Sequence, residues 1–340
     1  MKRFAALAGS LCLGLLSAGP AHATFPGANG RIAYTWSRGG EGDTGPSPRL
    51  VGVVSVRPDG SGRRLIAAGG ADPGYSPDGR RIAFLRSRRL WVAQADGGRA
   101  RAVTPRGWLA GEYDWSPGGT RLAFVRSSKT TVKDALYTVK PDGTGLRRLQ
   151  VSIQGLRLYP GAWSPNGKAI VFEQYRINAA SFVRIHRGGR ITTLARGGEP
   201  SWSRQGLIAY TTWALRGRPN QVCLNRPDPA PPVRCFGSAT SPVWAPDGSR
   251  LKLAYGPQAG PAEIWTVRPD GTVLTRTPGS SFPIFSPDGR RFAFSAIRYG
   301  GAPRLAYTDL FTMRPDGSDR RRVVRGGQAA EPDWQRLTPR

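Results

Sequence analysis

One unit repeats along the sequence, and this repetition constrains the fold more than any other feature. Each copy is an aromatic residue, a turn of the Ser-Pro-Asp-Gly kind and a short apolar segment. The clearest copies are YSPDGRRIAF (75–84), WSPGGTRLAF (115–124), WSPNGKAIVF (163–172), WSRQGLIAY (202–210), WAPDGSRLKLAY (244–255) and FSPDGRRFAF (285–294). Because proline presets φ for a turn and glycine accepts positive φ, each copy predicts a tight hairpin between two short strands.

A second hairpin motif, RPDG in its clearest form, follows each copy. An alternating apolar segment precedes it and a further short strand-like segment comes after it. The motif occurs at residues 55–62, 92–98, 138–145, 184–189, 223–229, 266–271 and 312–317. Two hairpins in succession predict four antiparallel strands per unit.

The seventh copy is split between the two ends of the chain. Residues 29–34 (NGRIAY) supply its second half, and residues 332–335 (PDWQ) supply its aromatic half. The repeat aromatics stand 39 to 49 residues apart, which is the size of a propeller blade. We therefore predict an all-β fold, a seven-bladed β-propeller of four-stranded antiparallel blades. Pairing of the N- and C-terminal strands would close the ring and leave no blade edge open.

The N-terminus has the pattern of a secretory leader. Lys2 and Arg3 precede an apolar run at residues 4–18, and Ala-His-Ala at 21–23 resembles a cleavage signal. The run is too short for a stable membrane span. We predict a signal peptide at residues 1–23 and one propeller domain at 24–340. The expected product is monomeric and extracytoplasmic, either periplasmic or secreted.

The chain is strongly basic, with 50 Lys and Arg against 22 Asp and Glu, a formal charge of +28. Such a charge first raises the question of nucleic-acid binding. Export and the spread of basic residues along the whole chain argue against that partner. We expect no nucleic acid, and instead a protein or an envelope polymer.

Two cysteines remain after the leader is removed, Cys223 and Cys235. An even pair in an oxidising compartment favours one disulfide, and two free buried thiols are the alternative. The pair flanks one RPDP hairpin, so a bond would join its third and fourth strands.

The WSPDGxxIAF unit and its RPDG hairpin resemble the WD40-like repeat of the TolB-type β-propellers, and EPDWQ (331–335) is similar to their ring-closing strand. The resemblance covers residues 25–337. TolB itself carries an α/β domain ahead of a six-bladed propeller, whereas here the repeats follow the leader directly. Similar repeats occur in the propellers of prolyl-oligopeptidase-type peptidases and of oligogalacturonate lyases, which implies enzymatic alternatives.

The residues needed for the common catalytic centres are scarce. No Gly-x-Ser-x-Gly elbow occurs, and His186 is the only histidine after the leader. Its RIHRGG context predicts a solvated turn position. One histidine and one cysteine pair cannot build a His-rich metal centre, so we assign no catalytic residue and no metal ligand.

Carboxylates are the remaining candidates for a functional site. Eight aspartates belong to DG turns and are expected to cap those turns. Six other acids stand three residues or one residue before a repeat aromatic, which places them at the mouth of the central channel. These inner-strand acids are Asp72, Glu112, Asp114, Glu199, Glu331 and Asp333.

The sequence thus favours a non-catalytic scaffold that binds a protein or another ligand at the channel mouth. The alternative is a carboxylate-based hydrolase or lyase that acts on envelope or extracellular carbohydrate. No cofactor is expected; Ca²⁺ is the alternative, because Asp and Glu side chains alone can hold it.

Overall fold

The computed structural model describes residues 25–38, 49–127, 134–151, 156–176, 181–213, 219–256, 263–278, 283–300 and 305–338. Every regular element in these ranges is a β-strand. None of the described residues forms a helix with the length and apolarity to cross a bilayer. The predicted leader, residues 1–23, lies outside the described residues.

The strands follow one another closely along the chain. In chain order they are β1 (Ala28–Arg38), β2 (Arg49–Val56), β3 (Arg64–Ala68), β4 (Gly70–Tyr75), β5 (Arg81–Arg86), β6 (Arg89–Gln94), β7 (Arg101–Ala102), β8 (Leu109–Trp115), β9 (Leu122–Ser127), β10 (Ala135–Val139), β11 (Arg147–Val151), β12 (Arg157–Trp163), β13 (Ala169–Tyr175), β14 (Ser181–Arg187), β15 (Arg190–Arg196), β16 (Gly198–Trp202), β17 (Ile208–Thr212), β18 (Gln221–Asn225), β19 (Arg234–Gly237), β20 (Ala239–Trp244), β21 (Leu251–Tyr255), β22 (Glu263–Val267), β23 (Val273–Pro278), β24 (Ile284–Phe285), β25 (Phe292–Gly300), β26 (Leu305–Met313), β27 (Arg321–Val324) and β28 (Gln328–Leu337).

Five sheets contain four strands each, hydrogen-bonded in chain order: β4–β7, β8–β11, β12–β15, β16–β19 and β20–β23. Two further runs of four, β24–β27 and β28-β1-β2-β3, are joined into one eight-stranded sheet by a single parallel pair, Thr308 with Gln328. Within the runs all pairing is antiparallel. The predicted all-β architecture of four-stranded antiparallel sheets is confirmed.

The two ends of the chain pair with each other. Strand β1 runs antiparallel to β28, from Ala28 opposite Leu337 to Ser37 opposite Gln328. On its other side β1 pairs with β2. The split repeat of the sequence therefore supplies adjacent strands of one sheet.

The first strand of each run lies towards the centre of the molecule and the fourth strand towards its periphery. The first strands of successive sheets contact one another, as β28 does β4 and β16 does β20. Fourth strands such as β7 and β19 are largely exposed. The apolar core accordingly lies between adjacent sheets; for example, Leu90 and Val92 pack with Tyr113 and Phe124.

Three of the repeat tryptophans, Trp115, Trp163 and Trp244, donate a hydrogen bond to the sheet before their own. The indole N–H of Trp115 donates to the carbonyl of Gly74 at 3.0 Å, and that of Trp244 donates to Ser201 at 3.2 Å. Tryptophan suits this position because it buries a large apolar ring and still needs one hydrogen-bond acceptor.

The Ser-Pro-Asp-Gly turns have the predicted chemistry. The Ser76 hydroxyl donates to Asp78 Oδ1 at 2.5 Å and accepts the Arg81 amide at 3.0 Å. Gly79 has a φ of +69°, and a Cβ there would collide with the carbonyl oxygen of Arg336. Glycine is therefore required both by the turn and by the approach of β28.

The two cysteines form a disulfide between directly opposed residues, Cys223 of β18 and Cys235 of β19. In the next sheet the corresponding opposed pair is Trp265 and Arg276, whose guanidinium lies 4.4 Å from the ring centroid. The disulfide thus joins the third and fourth strands at a position where another sheet uses a cation–π contact.

Replacing Trp334 by alanine tests how strongly β28 holds the two chain ends together. Trp334 is 3% exposed and packs with Ile32 and Tyr34 of β1. We expect Trp334→Ala to lower the free energy of unfolding by about 3–5 kcal/mol. The matched change Leu337→Ala, on the same strand but 44% exposed, should alter it by less than about 0.5 kcal/mol. Equal effects in chemical denaturation would contradict the packing of β28.

Candidate functional site

A bulge interrupts the first strand of most sheets, just before the repeat aromatic. Register shifts occur between Ala71 and Gly74, between Gly198 and Ser201, and between Thr240 and Val243. Four residues three positions before an aromatic have φ between +51° and +53°: Asp72, Glu199, Ser241 and Glu331. A bulge removes a backbone N–H from the strand ladder, and a buried N–H needs another acceptor.

The acceptor comes from the neighbouring sheet. The amide of Asp72 donates to Thr35 Oγ1 at 2.8 Å and to Glu331 Oε2 at 3.2 Å. The Thr35 hydroxyl itself donates to Glu331 Oε2 at 2.8 Å. One carboxylate and one hydroxyl of the first sheet therefore cap the bulge amide of the next.

The same arrangement recurs around Glu199. Its Oε2 accepts the Thr211 hydroxyl at 2.7 Å and the bulge amide of Ser241 at 2.9 Å. The amide of Glu199 donates in turn to Glu173 Oε2 at 3.1 Å. Hydrogen bonds between side chains and bulge amides thus link three successive sheets.

The two aspartates that directly precede an aromatic also accept backbone amides. Asp333 Oδ2 accepts the amide of Tyr75 at 2.6 Å, and Asp114 Oδ2 accepts the amide of Trp163 at 3.4 Å. Both aspartates are buried, at 5% and 4% exposure. Each carboxylate again bonds to the first strand of the following sheet.

Four of the six inner-strand acids come together around Tyr113. Its hydroxyl donates to the carbonyl of Asp72 at 2.6 Å. Burial raises the pKa of Tyr113 well above its usual value, and the negative charges of neighbouring acids raise it further; these acids are Asp72, Asp333, Glu331 and Asp114.

Glu199 belongs to a different group, with Glu173 and Lys252. Lys252 is 1% exposed, and burial lowers its pKa to about 8, against the opposing effect of the Glu199 charge. Burial also raises the pKa of Glu173. The sixth predicted acid, Glu112, is half-buried on β8.

The residues predicted from the sequence do not include Glu173, Lys252, Thr35 and Thr211. A signal for Lys252 exists in the repeat, because the corresponding position is alanine in five other copies: Ala33, Ala83, Ala123, Ala209 and Ala293. A charged residue at a position that is a buried alanine in most copies indicates a polar contact between sheets, because a buried charge needs a polar partner.

The prediction for His186 is wrong. His186 lies on β14 at 9% exposure, and burial lowers its pKa. The turn begins one residue later, because the Gly188-Gly189 pair supplies its two positive-φ positions. Among the described residues no group of three or more His, Cys, Asp or Glu side chains is placed to hold a metal ion.

The contacts of Glu199 can be tested by truncation. Glu199→Ala removes the carboxylate that accepts the Ser241 amide and the Thr211 hydroxyl, and with it the negative charge that raises the pKa of Lys252. We expect the free energy of unfolding to fall by at least about 2 kcal/mol. Alanine keeps a Cβ at the same positive φ, so the change isolates the carboxylate.

The matched control is Glu263→Ala, since Glu263 is also half-buried, and within the described part of the chain its carboxylate accepts a hydrogen bond only from its own strand, from Trp265 Nε1 at 2.6 Å. Its loss should stay below about 1 kcal/mol. Urea unfolding of both variants gives the comparison. If Glu199→Ala is as mild as Glu263→Ala, the link between sheets is not a stabilising one.

Comparison with known proteins supports the family resemblance. No family model matches the sequence. A TolB homologue from Chlorobium luteolum is 31% identical over 172 residues, which are 46% of this chain and 38% of that protein. The match thus spans well under half of the length of this relative.

Solved structures share the fold at low sequence identity. TolB from Acinetobacter baumannii is 18% identical with a TM-score of 0.57, over 90% of this chain and 67% of that one. An oligogalacturonate lyase from Vibrio parahaemolyticus is 10% identical with a TM-score of 0.59, over 87% and 86% of the two chains. Repeat motifs, sequence match and architecture agree, and the chain has a β-propeller fold that is similar to that of the TolB proteins.

Proposed function

We propose that the chain is an extracytoplasmic, seven-bladed β-propeller that acts as a non-catalytic scaffold and binds a protein or an envelope polymer. In this proposal the mature domain, residues 24–340, is monomeric. The inner-strand acids and the loops around them form the mouth of the channel.

The strand pairing supports seven blades and a closed ring. The eight-stranded sheet divides into two antiparallel runs of four that share only the pair Thr308 and Gln328. Together with the five separate sheets these runs make seven units. Pairing of β1 with β28 places both chain ends in one unit, which is the arrangement that removes an open edge from a propeller.

The leader pattern and the disulfide support a place outside the cytoplasm. Residues 1–23 have the basic, apolar and small-residue segments of a signal peptide. The bond between Cys223 and Cys235 is of a kind that persists in oxidising compartments.

The observation that carries the scaffold proposal is the hydrogen bonding of the inner-strand acids. Carboxylate oxygens of Glu331, Glu199, Asp333 and Asp114 accept amides of the following sheet. A general acid or base must reach a proton on its substrate, whereas these groups hold the sheets together. The rigid frame that results is suited to binding through the loops it carries.

A carboxylate-based hydrolase or lyase is the second candidate. Two observations favour it: the fold shared with an oligogalacturonate lyase, and the burial that raises the pKa of Glu173. A general acid of this kind is a carboxyl group whose pKa is raised by its surroundings.

One experiment separates the two candidates. The purified protein is immobilised and incubated with an envelope fraction and with soluble polysaccharides, including polygalacturonate. Retention of ligand is measured alongside the release of reducing ends and unsaturated sugars. We expect saturable retention and no sugar product, because the carboxylates are bonded into the sheet contacts.

The control is the double variant Glu173→Gln, Glu199→Gln, which keeps acceptor oxygens at both positions. Sugar release by the wild type that disappears in this variant would establish the enzyme. Neither retention nor product from any fraction would contradict the scaffold.

A further inference from the structure

The topology gathers two hairpins of every blade on one face, which we call the turn face. In an antiparallel sheet of four strands the first-to-second and third-to-fourth turns lie at the same end. The second-to-third connection and the end of the fourth strand lie at the opposite end. Each first strand runs from that opposite end towards the first turn, and its bulge lies three residues before the aromatic at which the strand ends. The inner-strand bulges are therefore near the opposite end.

The third-to-fourth hairpins share one local design. In four of them a basic residue leads the turn and the glycine three residues on donates its amide back to that residue's carbonyl, at 2.9 to 3.0 Å. All four leading side chains are exposed: Arg57, Lys140, Arg268 and Arg314. Within the described residues none of the four forms an ion pair with a carboxylate.

The aspartates of the same turns face their own backbone. Asp59 Oδ1 accepts the Ser61 amide at 2.8 Å, and Asp316 Oδ1 accepts the Ser318 amide at 2.9 Å. Hydrogen bonds within the turn lower the pKa of both carboxyls. The acids therefore complete the turns, while the cations at the first position stay exposed, Arg57 with a hydrogen bond of 3.3 Å to Ser61 Oγ of its own turn.

Other arginines of this face divide into two groups. Several donate hydrogen bonds within the protein, and we do not count these as binding groups. Arg81 donates to the carbonyl of Gly119 at 2.9 Å, and Arg291 donates to Asp319 Oδ2 at 2.6 Å. Others are exposed beside the hairpin tips, where they add positive charge: Arg64, Arg80, Arg147, Arg148 and Arg290.

We propose that the turn face binds a linear envelope polymer that carries a phosphate group in each repeat. The exposed cations named above fall in five of the seven units, so positive charge recurs along this face. A guanidinium is planar and donates two parallel hydrogen bonds, which matches the oxygens of a phosphate group. A polymer with regularly spaced phosphates can contact several blades at once, and this raises its affinity over that of a single phosphate.

A flexible polymer fits this face better than a bilayer does. Proteins that bind at membrane surfaces insert aromatic or large aliphatic side chains beside their basic residues. The hairpin tips carry Pro, Asp, Gly, Ser and Thr between their cations, as at residues 57–62 and 268–272, and the exposed Leu65 and Leu146 stand behind the tips where the fourth strands begin. This inference rests on the proposed scaffold function, and it adds the partner's chemistry and the face that binds it.

The test measures binding of long-chain inorganic polyphosphate to the full chain at several salt concentrations. The turn-face variant is Arg57→Gln, Lys140→Gln, Arg268→Gln, Arg314→Gln. The matched control removes the same charge from exposed residues at the opposite ends of strands: Arg38→Gln, Arg49→Gln, Arg176→Gln, Arg196→Gln. Circular dichroism and thermal melting check that both variants fold as the wild type does.

We expect wild type and control to bind alike, and the turn-face variant to bind at least about tenfold more weakly. The slope of log Kd against log salt concentration should also fall by about three, since four phosphate contacts are lost. Equal weakening in both variants would overturn the assignment of the face. Tighter binding of anionic vesicles or duplex DNA than of polyphosphate would overturn the assignment of the partner. No binding of polyphosphate at moderate salt would reject the inference, while retention of another envelope component would leave the scaffold function standing.

Discussion

Each bulge leaves one backbone amide outside its strand ladder. The contacts between sheets depend on the need of that amide for a hydrogen-bond acceptor. A strand that approaches the centre of the molecule must bend, and the bulge before the repeat aromatic provides the bend. The freed amide then needs an acceptor, and for Asp72, Glu199 and Ser241 the preceding sheet supplies it. Glu331 with Thr35, and Glu199 with Thr211, supply it in the same way. Neighbouring sheets are thus fixed by directional bonds as well as by apolar packing.

The carboxylates have different hydrogen-bond partners on the two faces of the molecule. On the bulge side, carboxylates are bonded to amides and hydroxyls, and around Glu199 they are accompanied by the buried cation Lys252. On the turn face the aspartates bond to their own turns, and the leading cations remain exposed. A chain with a formal charge of +28 therefore presents much of its positive charge where it can meet a partner. Rigid sheets and exposed cations together favour binding over catalysis.

The repeats were enough to predict the fold class, because turn chemistry and apolar alternation act locally. The disulfide could be predicted for the same reason, because its two cysteines flank one hairpin. The roles of the inner-strand acids were less predictable: their spacing located them on first strands, but several of their partners lie on another sheet, as Ser241 does for Glu199, 42 positions away. His186 was misplaced because two glycines shift the turn by one residue. In the repeat, Lys252 stands at a position that is alanine in five other copies. Its electrostatic interaction with Glu199 was seen only in the packed structure.

Native-state hydrogen exchange of the backbone amides of Asp72, Glu199 and Ser241 tests the central claim most directly. These three amides belong to no regular ladder pair, so their protection depends on the side chains of the preceding sheet. We predict that they exchange as slowly as amides of the central strands, through global unfolding. Exchange as fast as that of the exposed hairpin tips would show that the carboxylates do not hold the bulges, and would contradict the account.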